Sequence, residues 1–416
     1  MKFKQSFINH ANFKLLLVSM ALCCFNLTIS AQESSFKKTT DRLKGKKDLI
    51  DIFGPIFIKK KMETGRSSLT VSDKKFYFSL LPSSAGVPGG GTAFITSTNI
   101  SYYLGDRRTT KLSSINITPY TNFKDRYGIS FRSNIWLKNN SWNLLGDFRL
   151  LVYPQNSWGL GSNTSINNES LISYNYSRFY EAALKKVAPN FFAGIGLSYD
   201  HHSNINVIGD SSFYHTLKPF YDSLEATSYS TGLTFHLQYD SRDNTNNPED
   251  GYYASARYRF NPKLFCNTGN WDEWLFDVRK YFPLANKKHE VLGFWSYWWV
   301  VGGSYIPYLD LPSTMWDSYA RSSRGFQQGR YKSDKEIYLE AEYRKDITDN
   351  GLWGFVIFAN VQSFSEFKTN QYKYWHPSIG AGLRVKFNKF SKTNIVLDYA
   401  FSKEYHTYYL SISEAF

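Results

Sequence analysis

The chain has little cysteine. Its three copies in 416 residues are Cys23, Cys24 and Cys266. The first two fall in an amino-terminal stretch that reads as a removable signal, so Cys266 remains alone and an intramolecular disulfide framework is excluded. Long apolar runs are missing too. The segment Leu15–Cys24 is shorter than the ~20 residues that a spanning helix needs, and mean hydropathy is −0.42. No catalytic or metal-binding constellation stands out. His201, His202 and His406 lack ligand spacing, and Gly89, Gly90 and Gly91 open no helix, so a phosphate-loop reading fails. Aspartates and glutamates recur along strand faces as a lining, not as an isolated acid–base pair. These absences argue against an enzyme, a cofactor and a metal.

Aromatic residues are abundant, at 18% of the chain with 31 Tyr, 33 Phe and 11 Trp. Rings combined with a negative mean hydropathy fit strands that face lipid on one side and a wet lumen on the other, with aromatic girdles at both interfaces. Period-2 alternation supports this. Leu233, Phe235, Leu237 and Tyr239 alternate with Thr234, His236, Gln238 and Asp240. Trp274, Phe276, Val278 and Phe282 alternate with Glu273, Asp277 and Arg279. Ile337, Leu339, Ala341 and Tyr343 oppose Glu340, Glu342 and Arg344.

The pattern predicts an all-β transmembrane antiparallel β-barrel of about sixteen strands. They span 75–82, 92–103, 111–121, 126–137, 141–152, 171–184, 190–203, 228–241, 252–261, 271–282, 289–304, 336–346, 352–364, 377–388, 393–402 and 407–416. Connections after even-numbered strands are often short, while long ones follow odd-numbered strands, which matches short periplasmic turns and long external loops.

Three regions are expected: a signal peptide at 1–31, a basic leader at 32–74 and the barrel at 75–416. Lys2, Lys4 and Lys14 supply the charged start, and Ser30-Ala31 before Gln32 the cleavage site. Net charge is +14, with much of the excess in the leader, including Lys37, Lys38, Lys46, Lys47 and Lys59. For an exported chain this points to anionic lipid headgroups or a solvated tail, not to nucleic acid.

Two segments stand above pattern. Asp240-Ser241-Arg242-Asp243, continuing to Pro248 and Gly251, joins the eighth and ninth predicted strands. Arg324-Gly325-Phe326, continuing to Gly329 and Arg330, lies in the longest loop, between the eleventh and twelfth. With these motifs, that strand count and a terminal Phe416, the chain resembles the BamA/TamA superfamily of outer-membrane proteins, or bacterial surface antigens. Without receiving modules ahead of the barrel, it is similar to the short barrel-only members of Bacteroidetes type. The resemblance implies a loop folded into the lumen, with Arg324 docked against Glu340, Glu342, Asn360 and Gln362. It also implies a carboxy-terminal assembly signal on Tyr408, Leu410, Ile412 and Phe416. Ser323 stands where the family usually has an aliphatic residue, and Asn360 and Gln362 where it has Asp and Gly, so the charge partner is expected to be Glu340 or Glu342.

The role implied is membrane-protein insertion, or translocation of polypeptide or lipid across the bacterial outer membrane. Its partners would be outer-membrane lipids, the barrel-assembly machinery or client outer-membrane proteins. The alternatives are a passive or gated pore and a surface-interaction barrel acting through its external loops.

Overall fold

The structure, a computed structural model, describes residues 45–52, 76–86, 92–209, 217, 221, 224–265, 267, 269–284 and 290–416. The signal peptide, most of the leader, Cys266 and Gly89–Gly91 lie outside the described residues.

Sixteen strands form one antiparallel sheet. They are β1 Phe76–Gly86, β2 Thr92–Tyr102, β3 Ser113–Thr121, β4 Tyr127–Trp136, β5 Trp142–Val152, β6 Ser170–Ala188, β7 Phe191–Gly209 and β8 Thr227–Asp240. There follow β9 Gly251–Asn261, β10 Trp271–Pro283, β11 Glu290–Gly303, β12 Lys335–Asp346, β13 Trp353–Phe364, β14 His376–Asn388, β15 Thr393–Ser402 and β16 His406–Ile412. Each pairs with the next, as Glu340↔Asn360 between β12 and β13 and Arg149↔Arg178 between β5 and β6. Past a break at Tyr153-Pro154, the spur Gln155–Ser157 continues the β5 edge along Ile172–Ser170. Among the described residues no ladder joins β16 to β1, although the two strands approach within 8 Å at Cα. The sheet is therefore a nearly closed barrel.

Alternation produces the two faces. On β8, Leu233, Phe235, Leu237 and Tyr239 are exposed on the outside, while Thr234, Gln238 and Asp240 are buried within. Backbone hydrogen bonds are satisfied between strands, as an element in lipid requires. Short turns such as 189–190, 347–352 and 389–392 share a rim with the start of β1 and the end of β16. The long connections 153–169 and 304–334 occupy the opposite rim. At the turn rim, the Lys389 backbone N–H donates to the buried Asp48 carboxylate at 2.9 Å, and the Lys389 ammonium pairs with Asp51 at 2.7 Å. Lys46 faces Asp346 at 3.5 Å.

Two differences from the sequence expectation have local causes. β6 and β7 run to 19 residues each and stay paired as far as Ser170↔Gly209, where the sequence predicted a loop past 203. A tilted span needs only about 9–11 residues, so their outer ends form a ribbon beyond it. The last strand ends at Ile412, not at Phe416. Ser413 enters the left-handed region at φ 70°, and the chain turns inward. Tyr408 remains outside, with Leu410 half-buried and Ile412 buried. Phe416 does not share their outward face, because it packs in the lumen on Tyr281 and Trp295.

Candidate functional site

The 304–334 connection does not project outward. It enters the barrel, and most of its length is buried. Asp317 shapes the descent: its carboxylate accepts from the backbone N–H groups of Tyr319, Arg321 and Ser322 and from the Ser322 hydroxyl, at 2.6–3.1 Å. Ser323 (φ 57°) and Gly325 (φ 99°) then turn the chain through left-handed conformations. A Cβ at Gly325 would collide with the Ser378 hydroxyl, so glycine serves both the φ angle and the close approach.

That turn delivers Arg324 to the inner wall. Its guanidinium bonds Glu340 and Glu342 of β12 and, at 2.5 Å, Asp398 of β15. It also lies over the Phe358 ring, 3.5 Å from the centroid. Every carboxylate in this set is nearly inaccessible to solvent. Arg344 pairs with Glu342 at 2.5 Å, and Arg384 pairs with Asp398 at 2.5 Å and with Glu414 at 2.6 Å. Three arginines and four carboxylates thus form one network, with one negative charge in excess.

Asn360 and Gln362 hold the loop backbone and its flank instead of the guanidinium. The Asn360 amide and the Ser378 hydroxyl donate to the Arg324 carbonyl at 2.9 and 2.5 Å, and the Ser323 hydroxyl donates to Gln362 at 2.9 Å. Asp398 supplies a carboxylate from β15 where β13 offers only amides. Sequence reasoning missed it. It is inward by strand parity, but no motif marks it.

Phe326 packs with Tyr331 and Phe364. Gly329 also takes a left-handed φ of 78°, and a Cβ there would strike the Gln155 side chain. Arg330 docks on the far side of the loop, bonding Thr164 at 2.8–2.9 Å and Glu404 at 2.8 Å. The loop reaches the wall opposite Arg324 as well. Arg149 donates to the Ser318 carbonyl at 3.0 Å, the Tyr153 hydroxyl to Gln328 at 2.6 Å, and Ser157 shares a 2.6 Å hydrogen bond with Tyr308. Near the loop rim, Asp310 accepts from Ser230 at 2.5 Å. Burial, reinforced by Asp200, pushes its pKa up to about 7.

The 241–250 turn is more than a reversal. Arg242 forks onto the buried Asp240 at 2.8 and 3.0 Å. Asp243 caps the Glu249 and Asp250 N–H groups and pairs with Lys392 at 2.8 Å. Gly251 starts β9 at φ 104°. The turn folds under the barrel mouth. There Arg344 donates to the Pro248 carbonyl at 3.3 Å and to the Phe416 carbonyl at 2.7 Å. The two sequence motifs and Phe416 therefore meet through two residues of β12, Arg344 and Glu342. Among the described residues no cluster of three metal-ligating side chains occurs.

No family model matches the chain, and no curated protein matches it in sequence. Solved structures do resemble it. BamA from Haemophilus ducreyi lacking POTRA domains 1–3 superposes with TM-score 0.51 at 13% identity, over 82% of this chain and 70% of that one. CdiB from Acinetobacter baumannii gives 0.52 at 13%, over 82% and 60%. CdiB from Escherichia coli gives 0.52 at 10%, over 84% and 63%. This chain spans less than two thirds of the length of either CdiB. At these identities the likeness shows the fold: a barrel of the BamA and CdiB kind, an architecture of outer-membrane proteins.

Proposed function

We propose that this chain is an outer-membrane barrel of the BamA/TamA superfamily, of the short Bacteroidetes type. Its role would be the insertion of membrane proteins, or the passage of polypeptide or lipid through the outer membrane, without catalysing a reaction. The observation that carries this reading is the buried docking of Arg324, from the tip of a lumenal loop, onto Glu340, Glu342 and Asp398. A loop docked across the conduit obstructs diffusion, which disfavours a wide open pore. One further feature supports the proposal. Among the described residues no ladder joins β16 to β1, which leaves a seam between two strand edges. An unpaired edge can template another strand by main-chain hydrogen bonding. Partners under this reading are assembly factors, client barrels and outer-membrane lipids.

The test is photo-cross-linking in cells from a probe at Tyr408 on β16, followed by identification of the adducts. Nascent barrels or assembly factors in the adducts would support the reading. Stable single-channel conductance of the purified chain, with no such adducts, would replace it with the pore.

A further inference from the structure

The lumen wall facing the Arg324 network has the opposite charge balance. Asp147 on β5 lies within 4 Å of three guanidiniums: Arg149 at 2.5 Å, Arg178 at 3.5 Å and Arg132 at 3.7 Å. Asp200 on β7 takes Arg178 at 3.0 Å and Arg259 at 2.7 Å. Four arginines thus share two carboxylates. Asp310, near half-protonated at neutral pH, offsets at most one of the two surplus charges. Cations out of bulk water are costly unless counter-charges meet them, and on this wall paired carboxylates are fewer than guanidiniums, although Asp317 and Glu181 also line the space beside it.

The deficit faces open space. Two confluent chambers of about 240 and 250 Å³ lie between the loop and the inner wall, and both are lined by Asn116, Arg132, Tyr319 and Arg321. Most charges around them are already matched: Arg242 with Asp240, Arg257 with Glu273, Arg279 with Asp277, and Glu414 with Arg384. Arg132, whose Nε reaches Asp147 only at 3.7 Å, and Arg321 are less fully met. Arg132 Nε is buried without a hydrogen-bond partner. Arg321 reaches only the carbonyls of Ile412 and Glu414, while the nearby Asp317 carboxylate is occupied by the loop. Both guanidiniums lie near the Tyr319 ring, 5.5 and 5.9 Å from its centroid, and so lie at most 11.4 Å apart. The second chamber extends along Ile95, Leu151 and Val396 to Leu410 and Tyr408 of β16, the strand that borders the seam.

We infer that these chambers form a binding site for a phosphate-bearing group, seated between Arg132 and Arg321. A tetrahedral oxyanion offers enough acceptors for two guanidinium forks. It would also place negative charge beside the arginines. Each chamber alone is below the ~300–1,000 Å³ of sites for drug-sized molecules, so one of them has room for the oxyanion head only. The apolar extension toward β16 fits the chains of a lipid whose headgroup carries the phosphate. Free phosphate shares the same chemistry. The inference does not depend on the insertion or translocation role.

The experiment uses the full chain folded in zwitterionic detergent. Inorganic phosphate, short-chain phosphatidylglycerol and phosphatidylcholine of equal chain length are titrated separately, with binding read from phosphorus NMR line width. Saturable binding of phosphatidylglycerol well ahead of inorganic phosphate identifies a lipid headgroup, and equal binding identifies phosphate itself. Arg132→Gln and Arg321→Gln should each weaken binding roughly tenfold. Arg132→Gln leaves Asp147 with Arg149 and Arg178, so the wall should hold, and Arg321→Gln decides the matter if it does not. Glu181, a chamber carboxylate without an arginine within 4 Å among the described residues, opposes an anion, so Glu181→Gln should tighten binding. The inference is overturned if neither inorganic phosphate nor either phospholipid saturates, or if both arginine variants bind like the parent.

Discussion

Removing Arg324 should release the lumenal loop, and the structure says how much each partner would suffer. In Arg324→Ala, Glu342 keeps Arg344 and Asp398 keeps Arg384, each at 2.5 Å. Glu340 keeps only the Tyr338 hydroxyl. One buried carboxylate of the three is therefore stranded. Breaking a buried ion pair by removing one partner costs about 3–5 kcal/mol. The lower figure applies, because a chamber reaches Arg324 and Asp398 and lets water in. A loss of about 3 kcal/mol raises the open population of the loop on the order of a hundredfold. Trypsin reports this population when opening is fast relative to cleavage. The folded chain in detergent should then be cut around a hundredfold faster at Arg321, Arg330 and Lys332, with the barrel strands intact. Arg324→Lys should recover part of the protection, having no fork to offer. Arg324→Ala combined with Glu340→Gln should recover more, since the stranded charge is gone. Unchanged cleavage in Arg324→Ala, or a double variant looser than the single one, would refute this reasoning.

Other perturbations follow from the same geometry. Gly325→Ala should loosen the loop by about 1–2 kcal/mol from its left-handed φ alone, so adding Ser378→Ala should not restore trypsin resistance. Asp310 sets a pH dependence. Its pKa in the folded loop is raised from 3.8 to about 7, so docking is favoured while it holds its proton and weakens as pH climbs from about 4 to 7. Proteolysis of the loop should therefore quicken from pH 5 to 7, and Asp310→Asn should flatten that slope. Lys332, whose pKa is lowered to about 7 by burial, acts in the separate window above 7, where docking strengthens as it loses its proton. Deleting residues 33–70 removes the Asp48 and Asp51 contacts to Lys389 but, among the described residues, no hydrogen bond between strands. The barrel should still fold and still migrate differently before and after boiling.

The strand plan was legible because lipid and lumen impose opposite chemistry on alternate residues. The predicted and observed strands agree closely from 92–103 through 141–152 and again from 228–241 through 393–402. The outer end of β7, past 203, was not legible, although that of β6 was read to within one residue. Beyond the bilayer both faces are wet and alternation fades, as at Ser203, Asn204 and Asn206. The inward turn of Phe416 depends on one left-handed serine, which no periodicity reveals. Motif order singled out Arg324, Glu340 and Glu342, but Asp398 is contributed by a strand far along the chain. Only three-dimensional closure brings it to the same guanidinium. The surplus of arginine around Asp147 was equally hidden, because each residue alone looks like ordinary lining.

The loop has a mechanical consequence. It grips β5 and its spur through Arg149, Tyr153 and Ser157, and it grips β12 to β15 through Arg324. β5 and β13 stand eight staves apart in a ring of sixteen, so these anchors lie across a diameter. A tube with a slit in its wall flattens easily under lateral pressure, but a cross-strut spanning its bore resists flattening. Bilayer stress on this cylinder therefore concentrates at the β16–β1 slit, where among the described residues no ladder shares it.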